Sequence, residues 1–190
     1  MVDAMADIDM QTDTDDVVRR AGRDAEALGR LYDLYYERIF KFCVHRLFAK
    51  DAAEEVTSEI FLQVAQKIGV FPGTTERDFA NWLYAIAVNQ CNEHLRKAGR
   101  RKKLFENFVG GTPDVAPPPS AVVFDTPDWP TVHTAISKLK PKHQTIITLR
   151  FFENLSFERI GEIVNADPAT VRVALHRILK KLRKQTEPRA

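Results

Sequence analysis

Residues 155–184, LSFERIGEIVNADPATVRVALHRILKKLRK, constrain the fold most strongly, because they hold two helical patterns separated by a tight break. The first pattern, over residues 157–164, places its apolar side chains at helical spacing. Asp167 and Pro168 then supply an N-cap and a first-turn proline for a second helix. This order predicts a helix-turn-helix, whose second helix can enter a major groove of DNA with its N-terminal turns.

The second helix has an apolar face and an opposite polar face. The apolar face comprises Val171, Leu175, Ile178 and Leu182, and the other comprises Ala169, Arg172, Val173, His176 and Lys180. Residues 172–190 contain seven Lys or Arg and one acid, Glu187. A surface that only needs solubility mixes its charges, whereas a surface facing phosphates is uniformly basic. The basic face therefore favours DNA binding over the alternative, a plain helical hairpin with a solvated face.

Composition excludes several classes of protein. The 190 residues are 44% hydrophobic, enough to bury one core or two small ones. No apolar run reaches membrane-spanning length, and the N-terminus lacks a signal pattern, so we expect a cytoplasmic protein without membrane insertion. Cys43 and Cys91 are expected to be reduced, buried thiols. No metal-ligand spacing, phosphate loop or nucleophile motif appears, so neither cofactor, metal site nor enzymatic activity is expected.

The first half of the chain predicts an acidic tail followed by three helices. Residues 1–16 contain six Asp and no Lys or Arg, which predicts a disordered tail over residues 1–23. Helical periodicity begins near Asp24 and again over residues 53–68. The next helix, from Phe79 to about Arg101, begins apolar on all sides and ends in a run of positive charge. The apolar start of such a helix is typical of a buried core position. Its basic end is suited to binding melted nucleic acid.

Residues 104–130 separate this half from the second. They contain six of the ten prolines, four acids and no Lys or Arg, which predicts a flexible Pro-rich linker. Helical patterning resumes over residues 131–185 and includes the helix-turn-helix. The sequence therefore predicts an all-α protein of two small helical domains, residues 24–103 and 131–185.

Four segments of the chain resemble the two conserved domains of bacterial sigma factors. They read LYDLYYERIF, DAAEEVTSEIFLQVAQKI, FANWLYAIAVNQCNEHLRK and a C-terminal block from KLKPKHQTIITLRFFENLSFERIGEIV to the end of the helix-turn-helix. The chain is most similar to the extracytoplasmic-function class of the sigma-70 family, which keeps only sigma regions 2 and 4. The resemblance implies a non-catalytic protein that binds core RNA polymerase, recognises promoter DNA and promotes its melting.

The resemblance also implies three sets of contact residues. The polymerase-docking set, facing the clamp helices of the largest subunit, is Glu54, Glu55, Ser58, Glu59 and Gln66. The set for the minus-ten element is Phe71, Thr74, Thr75, Trp82, Asn89, Arg96, Lys97, Arg100 and Arg101, where residues 71–78 match a loop that receives a flipped base. The set for the minus-thirty-five element is Thr170, Arg172, Val173, His176, Arg177, Lys180 and Lys184. Other implied partners are the flap of the second-largest polymerase subunit and an anti-sigma factor.

Three departures from the family pattern affect these expectations. Ser58 replaces the usual Gln, which weakens one docking contact, and the loop over residues 71–79 is about two residues longer than the common form. Val173 and Ala174 replace a common Ser-Arg pair, which predicts an unusual upstream element; Val173 could contact a thymine methyl group.

A conventional helix-turn-helix regulator is the alternative interpretation, with residues 1–103 as a sensor or dimerisation domain. Such regulators pair over palindromic half-sites, whereas a sigma factor is expected to be a monomer when free. The polar face of the helix over residues 53–68 could equally be an ordinary solvated surface.

Overall fold

The computed structural model describes residues 13–109 and 129–186 as helices joined by short turns. The first group is α1 (13–20), α2 (Ala25–Leu47), α3 (Lys50–Lys67) with a 3₁₀ turn (Ile68–Val70), and α4 (Glu76–Val109). The second is α5 (Trp129–Ser137), α6 (Pro141–Ile147) with a π-helical turn (Thr148–Phe152), α7 (Phe157–Val164) and α8 (Pro168–Thr186). No strand occurs within these ranges, so the all-α prediction is confirmed for them.

The first domain packs α2 and α3 against α4. Asp24 caps α2 by accepting hydrogen bonds from the backbone N–H groups of Glu26 and Ala27, at 2.9 and 3.3 Å. Opposite sides of α4 are both buried, at Phe79 and Leu83 and at Tyr84, Ala87 and Cys91. The expectation of a central core helix is therefore confirmed. Cys43 and Cys91 are buried free thiols whose sulfur atoms lie 3.8 Å apart.

The prediction of a disordered tail is wrong for residues 13–23. Residues 13–20 form α1, and Val17, Val18 and Ala21 are buried in the core of the first domain. The acids in this segment also make contacts, since Arg30 donates a hydrogen bond to Asp13 at 2.6 Å and the Glu76 backbone N–H donates one to Asp15 at 2.6 Å. Burial of the apolar positions overrides the acidic composition. Residues 1–12 lie outside the described residues.

The segment between the two domains is shorter than predicted, mostly at its N-terminal end and slightly at its C-terminal end. The helix α4 continues through residues 104–109, and α5 already begins at Trp129. The composition of 104–130 does not exclude helix over its first six residues, because the prolines and the Gly110–Gly111 pair come later. The flexibility expected of the linker concerns residues 110–128, which lie outside the described residues.

The second domain contains the helix-turn-helix expected from the sequence. Ser156 caps α7 and Asn165 ends it in the left-handed conformation (φ 49°), a conformation that Asn tolerates. Asp167 accepts a hydrogen bond from the Ala169 backbone N–H at 2.7 Å, which begins α8. Val171, Leu175 and Ile178 are buried, as the periodicity predicted.

The two domains lie in direct contact, which the sequence did not indicate. The C-terminal end of α2 packs against α5, α6 and the π-helical turn, and α4 packs against α7. The π-helical turn places Phe152 and Glu153 at this contact, where they meet His45 and Tyr84 of the first domain.

Candidate nucleic-acid and polymerase interfaces

The outer face of α3 carries the expected docking residues. Glu54, Glu55, Ser58, Glu59 and Gln66 are all exposed, while Val56, Ile60 and Val64 on the opposite side are buried. Leu62 lies on the same exposed side and is 60% exposed, a large apolar side chain that the sequence analysis did not select. The sequence could have identified Leu62, because it follows Ser58 by four residues and Glu59 by three, which places it on the same helix face.

Ser58 is engaged with its own helix. Its hydroxyl donates a hydrogen bond to the backbone carbonyl of Glu54 at 3.0 Å. A short side chain turned towards the backbone presents less polar surface than the Gln usual in the family. The weaker docking contact expected at this position stays a prediction.

The loop before α4 is fixed by reciprocal hydrogen bonds between Thr75 and Asp78. The Asp78 backbone N–H donates to the Thr75 hydroxyl at 3.1 Å, and the Asp78 carboxylate accepts from the backbone N–H groups of Thr75 and Thr74 at 3.1 and 3.2 Å. This is a capping box at the start of the helix. The Thr75 and Thr74 hydrogen bonds lower the pKa of Asp78, because they favour its ionised form.

Two aromatic residues of the minus-ten set stack on each other beside this loop. The rings of Phe71 and Trp82 lie 4.7 Å apart and 29° from parallel. A Cβ atom on Gly73 would lie 2.2 Å from the Phe71 ring and 2.6 Å from the Asp78 Cβ atom, so a larger residue would force this loop to shift. A half-buried aromatic pair of this kind offers a stacking surface for a base.

The basic end of α4 is exposed, and its middle lines a cleft against the second domain. Arg96, Lys97, Arg100 and Arg101 are exposed over two turns. Asn89 and Arg96 contribute to one wall of a cleft of about 790 Å³, and Pro141, Lys142 and Thr145 contribute to the other. The predicted minus-ten residues thus lie partly on free surface and partly opposite the other domain.

The exposed face of α8 presents the residues expected for the minus-thirty-five element. Thr170, Arg172, Val173, His176, Arg177, Lys180 and Lys184 are all exposed. The Arg172 guanidinium lies over the Phe157 ring of α7, 5.1 Å from its centre, which holds it at the start of α8. Val173 is 50% exposed, so its methyl groups are open to a partner.

Sequence reasoning missed the residues that join the two domains. Burial raises the pKa of the Tyr84 hydroxyl, which donates a hydrogen bond to Glu153, and burial also raises the pKa of the Glu153 carboxyl. Burial lowers the pKa of His45 to about 4, so His45 is neutral at pH 7 where its ring meets Phe152. These residues carry no recognisable local pattern, because their partners are far away in the sequence.

Comparisons with known families match both domains. The family described as Sigma-70 region 2 matches residues 31–101, and the family described as Sigma-70, region 4 matches residues 131–182. Within the described residues, no helix is both long and apolar enough to cross a membrane.

Several curated proteins are similar over most of this chain. The ECF RNA polymerase sigma factor SigW of Bacillus subtilis is 30% identical, covering 85% of this chain and 90% of its own length. The RNA polymerase sigma-H factor of Pseudomonas aeruginosa is 31% identical, covering 90% and 93%. The ECF RNA polymerase sigma factor BldN of Streptomyces coelicolor is 28% identical over 87% of this chain, which spans only 62% of BldN.

Two solved structures share the fold. CnrH in complex with the cytosolic domain of CnrY aligns with a TM-score of 0.64 at 14% identity, covering 90% of this chain and 94% of CnrH. The sigma factor RpoE of Bartonella quintana, in complex with the anti-sigma factor NepR, aligns with a TM-score of 0.63 at 17% identity, covering 85% and 98%.

Proposed function

Because the chain belongs to the extracytoplasmic-function class of the sigma-70 family, the factors that direct RNA polymerase to promoters, we propose how its surfaces divide that work. The exposed face of α3 docks on the clamp helices of the largest polymerase subunit. The loop over residues 71–78 and α4 read and melt the minus-ten element. The face of α8 reads the minus-thirty-five element, and the second domain meets the flap of the second-largest subunit.

One observation carries this proposal. The polar face of α3 and the reading face of α8 are both exposed, while the apolar faces of the same helices are committed to their own domain cores. Each helix can therefore bind a partner without unfolding its domain. The uniform positive charge along α8 matches a phosphate backbone, and the acidic face of α3 matches a basic protein surface.

We also propose that an anti-sigma factor binds this chain in the cytoplasm. The support is the similarity in fold to the Bartonella quintana sigma factor, whose structure contains its anti-sigma factor.

The docking surface is tested by reversing two charges on α3. Replacing Glu55 and Glu59 together by Lys is expected to abolish assembly with core polymerase while the helical content stays unchanged, because both side chains are exposed and point away from the core. Assembly is measured by native gel shift with purified core enzyme, and helicity by circular dichroism.

The matched control reverses Asp33 and Glu37, two exposed acids at the same spacing on α2. It changes the net charge equally and is expected to keep polymerase binding. If the α3 double reversal also binds core polymerase normally, that face is ordinary solvated charge. A dimeric chain that binds DNA without polymerase would instead support a conventional regulator.

A further inference from the structure

A carboxylate of α1 caps a different helix, α4. Asp15 accepts a hydrogen bond at 2.6 Å from the backbone N–H of Glu76, the first residue of α4. The first N–H groups of a helix have no partner within that helix. The capping box binds the N–H groups of Thr74, Thr75 and Asp78, and Asp15 binds that of Glu76. Asp15 therefore completes the N-terminal cap of α4 from outside, where the helix dipole also favours a negative charge.

The helix that supplies this cap is itself anchored in the first domain. Val17 and Val18 are each 3% exposed and belong to the core. Asp13 accepts a hydrogen bond from Arg30 of α2 at 2.6 Å, which fixes α1 to a second helix. A cap on an unanchored segment would have to be ordered each time it formed, at an entropic cost. Here the buried valines hold Asp15 in place.

The turn after α1 lies against the other end of the loop that precedes α4. A Cβ atom on Gly22 would lie 3.2 Å from the Gly69 Cα atom and 3.2 Å from the Ile68 carbonyl oxygen. Ile68 and Gly69 belong to the 3₁₀ turn that leads into the loop over residues 71–78. The N-terminal segment, residues 13–23, therefore contacts this loop region at both ends, at the 3₁₀ turn and at Glu76.

The stacked rings of Phe71 and Trp82 depend on the position of both ends. Phe71 directly follows the 3₁₀ turn, and its backbone N–H donates a hydrogen bond to the Ile68 carbonyl at 3.2 Å. Trp82 lies in the second turn of α4. Residues 72–75 between them belong to no helix or strand. The relative position of the two rings is therefore set by the places where the ends of the loop are held.

Glu76 is also held through its side chain, by a residue of α2. Tyr35 is fully buried, and its hydroxyl donates a hydrogen bond to the Glu76 carboxylate. The start of α4 thus keeps one attachment to the core when the contact with Asp15 is removed. A substitution at Asp15 is therefore expected to loosen the cap and the loop while the domain stays folded.

We propose that Asp15 is a positioning residue for the minus-ten element: through it, α1 holds the loop over residues 71–78 so that Phe71 and Trp82 form a fixed surface for a base. The inference rests on the function proposed above for that loop. It adds a role for a segment outside the region 2 match, which begins at residue 31. A surface that is already ordered binds without the entropic cost of ordering the loop.

The first measurement is hydrogen exchange of the Glu76 amide in the full chain. Asp15→Ala removes its acceptor and is expected to speed exchange about fivefold to thirtyfold, the size of effect that a lost N-cap produces. Asp15→Asn keeps an oxygen acceptor and is expected to restore most of the protection. The matched control is Asp16→Ala, which removes the same charge from the same helix, where Asp16 pairs with Arg20 of α1 at 2.8 Å. It is expected to keep the wild-type rate.

The second measurement is promoter melting by the reconstituted holoenzyme, followed by permanganate reactivity of unpaired thymines in the minus-ten element. Asp15→Ala is expected to lower the melted fraction about fivefold. Binding to core polymerase in a native gel shift is expected to stay at the wild-type level, because α3 is unchanged. Asp15→Asn is expected to recover melting. A general loss of structure would lower polymerase binding as well and would not be reversed by Asn.

The other end of the loop is tested with Gly22→Ala, whose added methyl group would press on the backbone of Ile68 and Gly69. This variant is also expected to lower melting. Its control is Gly29→Ala in α2, where nothing lies within 4 Å of the added atom. Normal melting by Gly22→Ala would overturn the part of the proposal that concerns the turn after α1.

Three results would overturn the role of Asp15: unchanged exchange at Glu76 in Asp15→Ala, normal melting by that variant, or a loss of melting that Asp15→Asn does not reverse. Trp82→Ala separates this failure from that of the proposed function. If Trp82→Ala also melts the promoter normally, the loop has no minus-ten role. If Trp82→Ala fails to melt it while Asp15→Ala succeeds, the loop acts without Asp15.

Discussion

Gly161 lies within α7, where any larger residue would meet the backbone of the following turn. A Cβ atom there would lie 2.5 Å from the Ala166 carbonyl oxygen. Gly161→Ala is therefore expected to destabilise the second domain by about 1–3 kcal/mol, as overpacking does. Hydrogen exchange of the Ala166 amide, which bonds to the Gly161 carbonyl at 2.9 Å, measures the change directly.

The control for this substitution is Gly29→Ala in α2, where nothing lies within 4 Å of the added atom. That change is expected to stabilise the chain by about 0.5–1 kcal/mol, since alanine favours helix. Equal exchange rates at Ala166 in wild type and Gly161→Ala would show that the turn adjusts freely.

The helix proposed to read sequence, α8, is expected to make two kinds of contact along its length. Arg172 and His176 lie early on the exposed face, and Lys180 and Lys184 lie late. Arg172→Ala is expected to relax base preference in the minus-thirty-five element, because a bidentate base contact provides about 1–3 kcal/mol of discrimination. Selection from a promoter library with the reconstituted holoenzyme measures that preference.

Lys184→Ala is the companion variant on the same helix. It is expected to weaken all promoters alike and to reduce the salt slope of binding by about one, because it would remove the phosphate contact proposed for Lys184. If Arg172→Ala keeps the wild-type sequence preference, Arg172 does not read a base. Its position over Phe157 would then be its whole role.

At the scale of the whole molecule, the tether between the domains is short. Only residues 110–128, 19 residues, separate the end of α4 from the start of α5. At about 3.3–3.6 Å per residue they span at most about 63–68 Å. Deleting residues 113–121 shortens that reach by about 30 Å. The deletion is expected to abolish transcription in vitro from a promoter with both elements, which lie something under two turns, on the order of 60–70 Å, apart. The intact tether is about that long, whereas the shortened one reaches only about half as far.

The control for the deletion neutralises the acids of the predicted linker with Asn and Gln, at Glu106, Asp114, Asp125 and Asp128. It keeps the length and is expected to change initiation only modestly. A deletion that transcribes as well as wild type would show that the two domains do not hold both elements at once.

The sequence by itself determined the long helices from α2 onwards and their buried faces, but not α1. The spacing of Val171, Leu175 and Ile178 identified the buried side of α8, and the cap formed by Asp167 identified where it begins. These features were predictable because a helix repeats every 3.6 residues, so a single segment contains the whole signal. The family resemblance drew on the same two domains and their order.

Tertiary structure alone decided which distant residues meet. Val17 and Val18 are the two apolar residues of α1, too few to form a sequence pattern that outweighs its acids. Their burial depends on a core built by α2 to α4. Cys43 and Cys91 are 48 residues apart in sequence, and Arg46 and Gln144 are 98 apart. The sequence around a polar residue is the same whether its side chain faces water or another domain. The contact between the two domains is therefore visible only in the folded chain.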